Sequence, residues 1–408
     1  MPARSMIERR VSAIFFRELS VVPRRICMQW CVGEYARPTL TWPPLVIPRF
    51  VELVCIGDFM GTGLQHVFWD STEQRLRAPF RLVVQLLFTL ICAFIAIVGM
   101  GSLLTYARHH DLLASTDKET FDQIGNMIVA PVAAALVYLS LKVGARRVEN
   151  RDFSIYGMTF SRTWIDQFLF GCALAGGLIT LIFAAEYLAG WIHIEGFFRV
   201  TNPQNVISVS LLFSLVKVVI VAIVEELIFR GLVLRVLAES FDGFLGMSAA
   251  SGQTAALLFS ALLFGAVHLT NPNSSWASTA VIFFIGTFFG LAYIITGQLA
   301  APIGLHLAWN LFQGVVYGFP VSGDKEPAVF LLTRQSGNAL VTGGSFGPEA
   351  GLLGIAAAIL GILSLWFYFE DRQTPAPPLI RATELLVNQQ ANRAISMSDI
   401  EMSVRRDK

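Results

Sequence analysis

Long apolar runs separated by short polar loops dominate the sequence, and they constrain the fold more than any other feature. A helix that crosses a membrane needs about 20 consecutive, largely apolar residues. The chain has 408 residues, of which 54% are hydrophobic and 14% charged, whereas a soluble domain carries about 25% charged residues. We therefore predict an all-α, polytopic helical membrane protein with about eight transmembrane helices, whose first partner is the lipid bilayer.

The eight candidate spans are separated by loops whose charge predicts their orientation. The spans cover about residues 82–106, 127–143, 164–191, 206–237, 255–269, 280–295, 302–317 and 350–369. Lys and Arg favour the cytosolic loops. Basic residues precede the first span, lie between the second and third, and follow the last, whereas the loop after the first span carries Asp117, Glu119 and Asp122. We predict a multi-pass protein of the cell membrane with both termini in the cytosol.

The same pattern divides the chain into five segments. Residues 1–79 mix Arg, Pro and Trp with short apolar patches, and three hypotheses fit them: a cytosolic extension, an interfacial segment, or sequence that is not translated because Met60 is the start. Three spans fill 80–204, and a core interrupted by polar residues fills 205–318. A Gly-rich loop and the last span form 319–370, and we predict that the polar tail 371–408 is disordered.

Net charge and cysteine spacing exclude some classes of function. The net charge of +1 provides no basic field for nucleic acid. Cys27 and Cys31 could pair or bind a metal, but no second pair of ligands accompanies them, so we interpret the five cysteines as incidental thiols. They are Cys27, Cys31, Cys55, Cys92 and Cys172.

Two adjacent glutamates and an arginine interrupt the fourth span. Residues 224–231 spell Val-Glu-Glu-Leu-Ile-Phe-Arg-Gly, although an ionised side chain at the centre of a span costs roughly 2.5–3.5 kcal/mol. Glu226 and Arg230 are four residues apart and share a helix face, so they can pair. That pair is either a lock between helices or a support for catalysis. Glu225 points about 100° away, is less readily neutralised by the arginine, and is the candidate general base.

Two histidines interrupt later apolar segments. Phe264 and His268 are four residues apart at the end of the fifth span, and His306 and Asn310 are four apart in the seventh. Taken singly, His268 could be an interfacial residue, and the His306–Asn310 pair could be a packing contact between helices. Their joint occurrence with the glutamates in one apolar region indicates a shared polar site. That site requires Glu225 and both histidines to lie within about 10 Å of a common point.

In order and spacing, these motifs resemble the three-part signature of the CAAX protease and bacteriocin-processing (CPBP) family. Members of this family are intramembrane endopeptidases related to the type II CAAX prenyl endopeptidase. The resemblance covers about residues 205–318. The motifs that carry it are Glu225-Glu226-x-x-x-Arg230, Phe264-x-x-x-His268 and His306-x-x-x-Asn310.

The resemblance implies a role for each motif residue. Glu225 would take a proton from water, and His268 would help to hold that water. His306 and Asn310 would stabilise the oxyanion, while Glu226 with its arginine would brace the helix and Phe264 would support the site. The substrate would be a peptide or protein, with CAAX-type processing of a lipid-modified chain and leader-peptide removal both open.

Metal dependence is left open by the resemblance, since the family has been described both as metalloproteases and as glutamate-dependent enzymes. Two histidines and a glutamate form a catalytic zinc set. If zinc is the cofactor, its ligands would be Glu225, His268 and His306, and Glu226 would become the base.

Two other classes of function compete with a protease. The first is a non-catalytic membrane scaffold or bacteriocin-immunity factor. The second is a small-solute carrier, although the polar residues fall in one half of the chain rather than in two similar halves. We expect the Gly-rich loop after Phe319 to be an exposed connection, and Glu349 to be an acid that meets a helix N-terminus.

Overall fold

A computed structural model describes residues 67–70, 73, 75–110, 118–200 and 206–370, with side chains left out at 118–124 and 126. The tail 371–408, most of the N-terminal segment 1–79, Asp117 and three of the cysteines lie outside the described residues. Cys92 and Cys172 are free thiols.

The described chain is mainly helical. Its longer helices are α1 (Ala78–His109), α2 (Lys118–Arg147), α3 (Arg162–Leu188), α4 (Ile207–Glu226), α5 (Arg235–Phe241), α6 (Ala249–Val267), α7 (Trp276–Thr296), α8 (Ala300–Asn310), α9 (Ala339–Thr342) and α10 (Leu352–Glu370). Two π-helices, Leu227–Leu234 and Leu311–Val316, continue α4 and α8. Short 3₁₀ turns lie at Phe153–Tyr156, Phe244–Gly246, His268–Thr270, Gly344–Phe346 and Pro348–Ala350.

Seven helical segments of the described chain are long and apolar enough to cross a membrane. They are Ala78–His109, Met127–Arg147, Arg162–Leu188, Ile207–Phe241, Ala249–Thr270, Trp276–Thr296 and Leu352–Glu370. This finding confirms the prediction of a polytopic helical membrane protein. The segment predicted as the seventh of eight spans, 302–317, forms α8 and the π-helix that continues it to Val316, and this helix is shorter than the other seven. Ten of the eleven α8 residues are buried, so α8 is a core helix enclosed by longer ones.

Four short strands accompany the helices, and none was predicted. β1 (Trp69–Asp70) pairs with β2 (Arg75–Leu76). β3 (Ile192–Val200) pairs antiparallel with β4 (Ala328–Gln335), with Ile192 opposite Gln335 and Val200 opposite Ala328. β4 lies within the predicted Gly-rich connection, so that segment is more ordered than we expected.

A buried ion cluster fixes the helix ends on the side of α5. The buried Glu149 carboxylate accepts hydrogen bonds from Arg75 Nη1 (3.1 Å) and Arg81 Nε (3.1 Å), and pairs with Arg235 Nη2 (3.0 Å). Burial by itself would raise the pKa of Glu149, but the nearby guanidinium groups outweigh it and lower that pKa. The cluster joins the chain before α1, the end of α2 and the start of α5.

Helices α3 and α8 approach closely through two glycines. A Cβ on Gly304 would lie 2.2 Å from the Phe168 carbonyl oxygen, and a Cβ on Gly171 would lie 2.5 Å from that of Ala301. Small residues allow such close approach between helices in membranes. Because Gly304 lies two residues before His306, this contact sets the position of that histidine.

We therefore expect Gly304→Ala to push α8 away from α3 and to destabilise the fold by about 1–3 kcal/mol, as overpacking does. Gly177→Ala in α3 is the matched control, because no described atom lies within 4 Å of the Cβ it would add. Thermal unfolding of both purified variants in detergent should lower the midpoint only for Gly304→Ala. Equal midpoints would contradict this account of the α3–α8 contact.

Candidate active site

The two helices that carry the acidic and the His-Asn motifs both change from α to π geometry at those motifs. The first π-helix begins at Leu227, directly after the two glutamates, and contains Arg230. The second begins at Leu311, directly after Asn310. π-Helical turns within α-helices occur frequently at functional sites. Here they alter the direction of the side chains that follow each motif.

Glu226 is the centre of the site. Its Oε1 accepts a hydrogen bond from Arg230 Nη1 at 2.7 Å and lies 2.9 Å from His306 Nδ1. Arg230 Nη2 donates to the Gly286 carbonyl oxygen at 3.0 Å. All three side chains are buried. The predicted Glu226–Arg230 pair is therefore present, and it also connects α4 with α7 and α8.

Aromatic rings enclose the buried guanidinium. The Arg230 Cζ lies 4.4 Å from the centre of the Phe264 ring and 5.5 Å from that of Phe289. A cation over an aromatic face is stabilised by the ring quadrupole, most strongly where water is excluded. Phe264 of the second motif thus contacts the arginine of the first.

Glu225 faces the other nitrogen of the same histidine. Its Oε2 lies 4.0 Å from His306 Nε2. The Glu225 side chain is 28% exposed, yet Oε2 is buried and forms no hydrogen bond with any described residue. Two acceptors at this separation are within reach of one bridging water molecule. The Glu225 side chain is therefore partly exposed, and it forms no ion pair with a Lys or Arg among the described residues.

His268 and Asn310 complete the group of motif residues. The His268 ring lies 4.7 Å from the Phe264 ring, which lies 6.2 Å from the His306 ring. Together with the Glu225–His306 distance, these values place all three proposed catalytic groups within about 10 Å of a common point. His268 Nδ1 lies 2.7 Å from the Phe264 carbonyl oxygen, which can only accept, so Nδ1 is the donor. Asn310 is buried one turn beyond His306.

The three residues that would bind zinc, Glu225, His268 and His306, are not arranged as a metal-binding group. Among the described residues, no three His, Cys, Asp or Glu side chains are arranged so that they could hold a metal ion. Glu225 approaches His306, whereas the ring nearest to His268 in this group is that of Phe264, at 4.7 Å. The residues present therefore do not fit a three-ligand zinc centre in this geometry.

The Gly-rich loop contributes residues that the motifs did not indicate. Phe346 is buried and packs in one cluster with Phe264. Glu349 is buried, and its Oε2 accepts a hydrogen bond from Trp309 Nε1 at 3.3 Å. Glu349 lies in the first turn of the 3₁₀ helix just before α10, as expected of a helix-start acid, but its carboxylate also bonds to the distant residues Trp309 and Ser322. The expectation that this loop is an exposed connection is wrong around Phe346 and Glu349, because both side chains are buried.

Fold and site together define a multi-pass helical membrane protein with a buried carboxylate–imidazole centre. Residues 207–312 match the family model described as Type II CAAX prenyl endopeptidase Rce1-like. The match includes every motif residue and supports membership in the CAAX protease and bacteriocin-processing family, which the motifs predicted. At the family level this supports a CAAX-type endopeptidase. No curated protein and no solved structure matches the chain.

The adjacent glutamates allow a matched test of the site's stability. Glu226→Gln should destabilise the protein by about 3 kcal/mol, because it leaves the Arg230 guanidinium buried without a charged partner. Glu225→Gln should leave stability unchanged or slightly raised, since it removes a charge whose buried oxygen has no bonded partner among the described residues. Thermal unfolding in detergent compares the two variants. Similar losses for both would refute the assigned difference.

Proposed function

We propose that the protein is an intramembrane endopeptidase that hydrolyses a peptide bond with a water molecule activated between Glu225 and His306. The observation that carries this proposal is the 4.0 Å separation of Glu225 Oε2 and His306 Nε2, with His306 Nδ1 held 2.9 Å from Glu226. The family match supports the same class of reaction.

The state of His306 follows from its bond to Glu226. Because Glu226 also accepts from Arg230, it is an ionised acceptor, and His306 donates its Nδ1–H to it. In a neutral imidazole with this tautomer, Nε2 carries no proton, and it is the nitrogen that faces Glu225. This favours a role for His306 as an acceptor that orients water, rather than the oxyanion role that the family resemblance implied.

The reaction then needs only groups that face this point. A water molecule donates one O–H to Glu225 and the other to His306 Nε2, which leaves an oxygen lone pair free to attack the carbonyl carbon. As the new C–O bond forms, Glu225 takes the proton as general base. Collapse of the tetrahedral intermediate breaks the C–N bond, and Glu225 returns that proton to the leaving amine nitrogen.

The remaining motif residues have supporting roles in this proposal. We assign Asn310 to the oxyanion, since its amide is a donor on the same helix face as His306. His268, oriented by the Phe264 carbonyl, is a second polar group beside the bound peptide. Glu226 and Arg230 act through His306, whose orientation they hold.

The proposed substrate is a peptide or protein segment that enters from the membrane or its surface. Within this family, a lipid-modified C-terminal peptide and a leader peptide both fit the proposed reaction. The cell-membrane location and the cytosolic position of both termini stay predictions.

Replacing Glu225 tests the chemistry directly. We expect Glu225→Gln to lower cleavage by at least about 10²-fold, the contribution typical of a positioned general base. Peptide termini compared by mass spectrometry between wild-type and Glu225→Gln cells would reveal the missing products, and the purified protein would then be assayed on the peptides so identified.

The control variant is Glu195→Gln, which removes a carboxylate from an exposed ion pair with Arg334 on the β3–β4 sheet. Cells with this variant should retain the wild-type set of peptide termini. Identical termini in all three strains, at equal expression, would favour the scaffold or immunity function over a protease.

A further inference from the structure

Glu349 is a buried carboxylate that the proposed reaction does not use. It lies in the 3₁₀ turn Pro348–Ala350, immediately before α10. Glutamate is almost never fully buried unless it is paired, yet the hydrogen bonds of this carboxylate come from neutral donors. Burial raises the pKa of Glu349, which the bonds from Ser322 and the charge of His268 partly offset. Placing a carboxylate here is therefore costly.

Both oxygens of Glu349 face donors. Oε1 accepts from the Ser322 backbone N–H and from Ser322 Oγ, the latter at 3.0 Å. Oε2 accepts from Trp309 Nε1 at 3.3 Å. An ionised carboxylate satisfies donors on both sides, whereas a glutamine would turn its NH₂ group toward one of them. The position thus suits glutamate in a way that an amide of the same shape does not.

Trp309 connects this carboxylate to the site. It is fully buried in α8, directly before Asn310 and three residues after His306. Its ring lies 6.3 Å from that of Phe289, and Phe289 lies 5.3 Å from the His306 ring. An indole held at its N–H resists rotation of α8 about its axis. Such a rotation would move His306 and Asn310 together.

A second contact holds the same loop against the same helix. Gln313, one turn beyond Trp309, donates from Nε2 to the Pro320 carbonyl oxygen at 2.6 Å. Phe346, three residues before Glu349, packs in the Phe264 cluster. The loop around Glu349 therefore bonds to α8 and its π-helical continuation, and it belongs to the same buried cluster as the Phe264 ring beside His268.

We propose that Glu349 is a positioning residue of this site: through Trp309 it fixes the rotation of α8, and hence the angle at which His306 and Asn310 face Glu225 and the peptide. This inference rests on the proposed function. A shift of about 1 Å in such a group can cost about 10²-fold in rate. The effect should fall on the chemical step, because Glu349 itself bonds to Trp309 and Ser322 rather than to the proposed substrate groups.

The test is a cycle of two substitutions, measured as kcat and KM on a peptide that the wild type cleaves. Glu349→Gln should lower kcat about 10- to 100-fold with KM little changed. Trp309→Phe should also lower kcat, since it removes the N–H that the carboxylate holds. The double variant should cleave faster than the product of the two separate effects predicts, because phenylalanine has no N–H to oppose the glutamine NH₂ group.

Controls separate this inference from the proposed function. Glu225→Gln is measured first, and if it cleaves at the wild-type rate then the proposed function and the positioning role both fail. If Glu225→Gln is inactive but Glu349→Gln and Trp309→Phe keep the wild-type kcat, only the positioning role is overturned.

Thermal unfolding of every variant identifies a merely structural effect. A lower midpoint with unchanged kcat per folded molecule would show that Glu349 holds the loop and nothing more, which also overturns the inference. If Glu349→Gln does not fold, the kcat of Trp309→Phe decides: a loss supports the positioning role, and the wild-type value refutes it.

Discussion

The rest of the site depends on the bonds that one buried carboxylate, that of Glu226, forms with Arg230 and His306. One of its oxygens binds both Arg230 and His306, and Arg230 continues to a backbone carbonyl of α7. The charged Glu226 carboxylate therefore connects α4, α7 and α8 through these hydrogen bonds. Where water is excluded, such a network is strong only if its members are satisfied, and removing one partner strands the others. The aromatic rings on the guanidinium add to this by excluding water and offering their negative faces.

The position of Glu226 makes its neighbour available for chemistry. Because consecutive helix residues point about 100° apart, a glutamate that faces the arginine leaves the preceding glutamate facing elsewhere. Glu225 keeps a partly exposed side chain and a buried oxygen near His306. The Glu226 carboxylate is thus bound by a cation and holds the histidine, while Glu225 forms no ion pair with a Lys or Arg among the described residues and is the base we propose. Two identical residues differ in role because their surroundings differ.

Helices carry the motif residues, except that His268 lies in the 3₁₀ turn directly after α6, and close packing holds those helices in register. The glycine contact between α3 and α8 leaves no room for a side chain, so α8 can neither slide nor tilt freely. The loop before α10 holds the same helix from the opposite end, through Trp309 and Gln313. Sites built on helices and supported by a second layer of contacts keep their geometry better than sites on loops. Here the second layer of contacts includes the loop before α10, which supplies Pro320 and Glu349.

Local periodicity in the sequence determined most of the helices, the pairing of Glu226 with Arg230, and the motif family. Each of these depends on residues a few positions apart, whose geometry the helical backbone sets by itself. Tertiary structure alone decided that α8 is almost completely buried, since its neighbours and not its composition determine how much of its surface is covered. It also decided that β3 pairs with β4 and that Glu349 reaches Trp309. Those contacts join segments far apart in the chain, and they depend on how whole helices pack, which no short pattern of residue types encodes.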